Sequence, residues 1–171
     1  YDDEIHLEGI RQLTNGGDNA EAYFSFDGSM LTFQSNAEKW GNNCDQIYAF
    51  DWNQDTIWDK EPQLISNDLG RTTCAYFMPG DSTILYASTF RGDTACPAVP
   101  ERGESGAYFW PSYADFDIYI SDLNGHIVDT LISGPGYDAE ATVSPPMPES
   151  KIPMACSGFD IKKSRISAGL I

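Results

Sequence analysis

An all-β fold of short antiparallel strands, repeated about three times along the chain, is predicted by three observations. A strand–turn–strand pattern recurs at offsets of 53 and 66 residues, from Phe24 to Phe77 and from Phe77 to Val143. Turn chemistry separates the apolar alternations, as in Phe26-Asp27-Gly28-Ser29. No run of about a dozen residues carries a 3.6-residue apolar period, so little helix is expected. Unequal offsets around matching strands mean loops of different length inserted into a constant unit.

The first unit reads Leu13-Thr14-Asn15, then residues 20–25, 30–35 and Asp45-Gln46-Ile47-Tyr48. Its Asp-Gly pair gives the hairpin a residue that accepts positive φ without a Cβ clash. The second unit reads Leu64-Ile65-Ser66, then residues 73–78, 84–88 and Asp117-Ile118-Tyr119, with Met78-Pro79-Gly80-Asp81 as the matching turn. Asp122-Leu123-Asn124-Gly125 turns the chain between the third strand and the fourth. The third unit reads Leu131-Ile132-Ser133, then residues 139–144, 152–157 and Phe159-Asp160-Ile161. Four short strands per repeated unit is the pattern of a β-propeller blade. The predicted fold is therefore about three four-stranded blades, an incomplete propeller with a long loop insertion. Residues 1–13 are expected as an outer strand that pairs with a neighbouring blade or subunit. Blade 1 follows at 14–65, blade 2 at 66–132 with an insertion at 89–115, and an atypical blade 3 with a basic end at 133–171.

Two stretches carry a family likeness. Asp18-Asn19-Ala20-Glu21-Ala22-Tyr23-Phe24-Ser25-Phe26-Asp27-Gly28 resembles the blade motif of TolB-like β-propellers. Gly136-Tyr137-Asp138-Ala139-Glu140-Ala141-Thr142-Val143-Ser144-Pro145 resembles it more closely. The resemblance spans roughly residues 10–145 and implies a secreted or periplasmic binding or scaffold module. In some such proteins the propeller is attached to a hydrolase domain. It also implies a ring of about six blades, which three units cannot close. After Pro145 the expected Asp-Gly turn is replaced by Pro146-Met147-Pro148-Glu149-Ser150.

Charge narrows the function. The 171 residues hold 26 acidic and 10 basic side chains, a net charge of −16. Nucleic-acid binding needs clustered Lys and Arg against phosphate, and an anionic membrane surface repels such a chain. No apolar run approaches the roughly 20 residues of a membrane span. Residues 146–171 carry Lys151, Lys162, Lys163 and Arg165 against Glu149 and Asp160, a net of +2 that leaves −18 on the rest. Asp2, Asp3 and Glu4 make an acidic head. Opposite charge at the two ends and an open blade edge favour head-to-tail association by strand addition, into a ring or a filament. The expected function is thus a non-catalytic secreted structural protein whose partner is itself. The alternative is a ligand- or protein-binding segment of a larger secreted or periplasmic propeller. The start at Tyr1 is expected to follow removal of a leader, or else to mark an excised fragment.

No G-x-S-x-G motif occurs, and the two histidines, His6 and His126, fall in an outer strand and a turn. Catalysis by the chain alone is not expected, and no catalytic residue or metal site is assigned. The resemblance places Glu21, Cys74 and Glu140, with Asn19, Thr72 and Asp138, at the start of the innermost strands near the channel. Carboxylates there suit Ca²⁺ or a basic peptide, or simply bond to neighbouring backbone. Arg71, at the position of Asp18, offers a channel salt bridge. The insertion carries Tyr108, Phe109, Trp110 and Tyr113, and a shorter one carries Trp40. Such rings either stack on a ligand or pack down as a lid. Cys44, Cys74, Cys96 and Cys156 show no CxxC spacing and allow three disulfide pairings. The first expectation is Cys74–Cys96, which flank one hairpin and loop; four reduced thiols in a cytosolic protein are the other.

Overall fold

A computed structural model of the chain describes residues 5–41, 44–53, 57, 60–99 and 111–143. Among these, eight strands form two four-stranded antiparallel sheets, each running in simple sequence order. The first sheet holds β1 (Asn19–Phe24), β2 (Met30–Ser35), β3 (Gln46–Asp51) and β4 (Gln63–Leu64). The second holds β5 (Thr72–Phe77), β6 (Thr83–Ser88), β7 (Asp117–Asp122) and β8 (Ile127–Ile132). A 3₁₀ turn spans Glu38–Trp40. The all-β blade-type architecture is therefore as the repeat predicts, with two units complete.

Alternation along the central strands makes each sheet two-faced. Ile47 and Ala49 of β3 face the second sheet, where Ala75, Phe77, Ile84, Tyr86 and Tyr119 close a buried core between the blades. The residues between them point the other way. On the far side of the first sheet, Phe33, Tyr48 and Phe50 pack with Ile57 and with Leu13, Trp40 and Trp52. On the far side of the second, Leu85, Ala87, Ile118 and Ile120 pack with Phe116, Tyr137, Ala139, Ala141 and Val143. Each large apolar side chain so buried contributes about 1.5–3 kcal/mol.

The turns follow their sequence signals. Gly28 closes the β1–β2 hairpin at φ 72°. Gly125, at φ 82°, lets the β7–β8 turn touch the backbone that leaves β4, for a Cβ there would lie 2.5 Å from the Ser66 carbonyl oxygen. Asp122 holds the same turn by accepting from the backbone N–H of Asn124 and His126 at 2.8 and 3.0 Å. Hydrogen bonds from His126 hold the Asp122 carboxyl down to about 2.

The described flanks of the chain lie outside the two sheets. Residues 5–13 are irregular and join neither sheet. The outermost places of both sheets are taken by β4 and β8. Residues 139–143 keep their place beside the second sheet without forming a ladder. Their expected hairpin partner at 152–157 lies outside the described residues, as do Asp2, Asp3, Glu4 and the basic stretch.

Candidate functional site

The repeat leaves one conformational mark in all three units. Glu21, Cys74 and Glu140 share a repeat position and adopt φ of 52°, 54° and 59°. Strand register slips there in both complete blades, between Ala20 and Tyr23 and between Thr73 and Tyr76. Each is a β-bulge, which re-aims a side chain and blunts an otherwise open strand edge. Left-handed backbone at a non-glycine residue costs on the order of 1–3 kcal/mol and persists only where surrounding structure fixes it. Its recurrence makes it a property of the unit.

The three side chains form an electrostatic row. Burial pushes the Cys74 thiol up to about 11, and the Glu21 and Glu140 carboxylates push in the same direction. Thr73 Oγ1 lies 3.1 Å from Cys74 Sγ. Tyr23 donates its hydroxyl to Glu21 Oε2 at 2.7 Å, which with burial holds the phenol up at about 12. A thiol at about 11 instead of 9 carries roughly 100-fold less thiolate at pH 8. Alkylation of the unreduced folded protein at that pH is expected to label Cys74 far more slowly than the denatured chain. Peptide mass spectrometry reads this directly, and equal rates in both states would refute the protected environment.

Beside this row lies an aromatic cluster on the β1 side of the molecule. Tyr23 and Tyr76 rings meet at 5.6 Å, and Phe26 meets Tyr76 edge-on at 6.2 Å. Phe24 meets Trp52 edge-on at 4.9 Å. Phe24 and Phe26 are nevertheless 52% and 51% exposed. The backbone there is fixed from the other blade, because Asp81 accepts from the N–H of Phe26 and of Asp27 at 2.8 and 3.0 Å. Neither the ring cluster nor Asp81 stands out in the sequence. Asp81 reads there only as part of a turn, and its partners are more than fifty positions away.

The remaining candidates fall elsewhere. Arg71 does form an ion pair, with Asp45 at 2.9 Å. Its Nη2 also reaches Cys96 Sγ at 3.9 Å, and its guanidinium lies 5.7 Å from the Tyr113 ring centroid. Burial raises the Asp45 carboxyl despite the opposing pull of Arg71. Asn19 turns inward on its own loop, donating to the carbonyls of Gly16 and Gly17. Asp138 anchors through its backbone N–H to the Phe116 carbonyl at 3.0 Å. Trp40 packs on Phe33 and Tyr48 and donates to Glu61 Oε2 at 2.6 Å. Tyr113 donates to the Ala98 carbonyl at 2.9 Å and packs near Phe116. Both insertion rings therefore pack down. Tyr108, Phe109 and Trp110 lie outside the described residues.

The expected Cys74–Cys96 disulfide is corrected: Cys96 bonds Cys44 instead, and Cys74 is a free thiol. The bulge turns Cys74 toward Glu21 and Glu140, while the insertion carries Cys96 back to the first sheet. Cys156 lies outside the described residues. Among the described residues, no three His, Cys, Asp or Glu side chains gather in a metal-holding arrangement, so the row offers Ca²⁺ no cage. Two surface hollows, of 480 and 260 Å³, lie near Gly17 and beside the disulfide, and neither includes Glu21, Cys74 or Glu140. Among the described residues no helix is long and apolar enough to cross a membrane.

No protein-family model matches the sequence, and no curated protein matches it. Among solved structures, the chain is similar to TolB from Acinetobacter baumannii at 18% identity and a TM-score of 0.45. The likeness covers 75% of this chain and 25% of that one, so the chain spans about a quarter of that protein's length.

Proposed function

We propose that this chain is a non-catalytic, secreted interaction protein that assembles head-to-tail with copies of itself. In this reading the arm at residues 5–13 of one subunit adds as a strand to the last blade of another. The observation that carries it is the arm's exposure. Ile5, Leu7 and Ile10 are 84%, 63% and 75% exposed, and the arm joins neither sheet. Large apolar side chains gathered on a segment outside the core favour burial against a partner. The Cys44–Cys96 disulfide supports an oxidising compartment, as expected for a secreted or periplasmic chain.

Sedimentation velocity over a range of protein concentrations tests the proposal. Association that grows with concentration, and is lost in an Ile5→Asp/Ile10→Asp variant, is the expected outcome. A folded monomer at every concentration would overturn it. A second reading, a binding segment of a larger propeller, is favoured by one observation. Residues 137–143 already lie on the far face of the second sheet, where a next blade would pack.

A further inference from the structure

We propose that the aromatic rim of Tyr23, Phe26 and Tyr76, flanked by Glu21, is the docking surface for the basic C-terminal stretch of a second copy. That stretch holds Lys162-Lys163-Ser164-Arg165. The inference rests on the self-association reading and names the surface through which it acts.

The rim is ordered before any partner arrives. Tyr76 holds both neighbouring rings, at 5.6 Å from Tyr23 and 6.2 Å edge-on from Phe26. The Tyr23 hydroxyl is tied to Glu21, and the Phe26 backbone is tied across the blades to Asp81. Such fixing lowers the ordering cost of binding. Yet Tyr23 and Phe26 leave 38% and 51% of their surface exposed. Bulges blunt the adjacent strand edges at Glu21 and Cys74, so the surface works through side chains and not by adding a strand. Ring faces beside carboxylates suit a cation with an aliphatic stem: the charge meets the ring and the carboxylate, and the stem covers the apolar ring.

Charge complementarity identifies the occupant. Residues 146–171 carry a net +2 against −18 on the rest of the chain. Lys162, Lys163 and Arg165 place three cations within four positions. A tail of this composition is attracted by the Glu21 carboxylate beside the rings.

Two full-length variants test the assignment by sedimentation. Tyr23→Ser/Phe26→Ser removes the rim, and Lys162→Glu/Lys163→Glu/Arg165→Glu reverses the tail. Each is expected to weaken self-association about tenfold or more, with circular dichroism unchanged. Mixed together, they should restore one-to-one pairs, because the intact rim of one meets the intact tail of the other. If both variants associate like the wild type, the docking surface is wrong while self-association stands. If the wild type is a monomer throughout, self-association falls, and a synthetic peptide of residues 151–171 titrated onto the full chain decides the rim. Binding lost in Tyr23→Ser/Phe26→Ser supports the rim, whereas no binding sinks it. Rim fluorescence that responds to tail reversal equally at all dilutions would put the tail in the same molecule and overturn docking between copies.

Discussion

Replacing Cys44 or Cys96 by serine is expected to lower the folded chain's stability by about 4 kcal/mol. The disulfide closes a 52-residue separation, and the loss of loop-closure entropy from the unfolded chain over that span gives this magnitude. It also ties the start of β3 to the insertion, since Cys44 precedes Asp45 and Cys96 lies beside Arg71. Urea unfolding measures the effect as a lower midpoint, and reductant should reproduce it in the wild type. Cys74→Ser, which removes a free thiol, is expected to shift stability by no more than about 1 kcal/mol. Equal midpoints for the wild type and Cys44→Ser would refute the bond's structural role.

The contrast between these cysteines shows where sequence reasoning reaches and where it stops. Strand positions were legible because period-two alternation and Asp-Gly or Pro-Gly turns are local signals. The repeat also aligned Glu21, Cys74 and Glu140, and the structure finds the same left-handed backbone at each. Disulfide pairing is a fact about chain return. The 89–99 limb of the insertion folds back on the connection from β4 to β5, where the Gly70 N–H bonds the Thr94 carbonyl at 2.8 Å. Nothing local to Cys96 records that path. Trp40 and Tyr113 were legible as aromatics in loops, but whether a loop ring faces solvent or core depends on what lies beneath it. Beneath Trp40 are Phe33 and Tyr48. A strand at 5–13 is expected only from propeller topology, which gives the lead-in segment to the preceding blade, and alone beside these two sheets that segment stays irregular.

Arg71→Ala is expected to cost about 3–5 kcal/mol, because it strands a buried carboxylate. The side chains of Arg71 and Asp45 are only 12% and 7% exposed, so solvent cannot replace the lost partner. The pair also spans the blades, since Asp45 precedes β3 and Arg71 precedes β5. The Asp45 carbonyl adds to the seam by accepting from the Thr72 N–H at 2.9 Å. Arg71 Nε finds no hydrogen-bond acceptor among the described residues, so the arrangement is not ideal and part of its value is offset by desolvation. The pH dependence separates lost charge from lost packing. Burial raises the Asp45 carboxyl in the folded state even with Arg71 present, and removing the guanidinium raises it further. A carboxyl raised on folding favours the folded state below its unfolded value, and that advantage is lost as pH rises through the folded value. The Arg71→Ala penalty should therefore be greatest at neutral pH and shrink as pH falls into the carboxylate range. In Arg71→Ala/Asp45→Asn the penalty should be smaller and its pH dependence gone. A penalty for Arg71→Ala that is the same at neutral and acid pH would mean that Arg71 acts through its packing on Tyr113 and not through its charge.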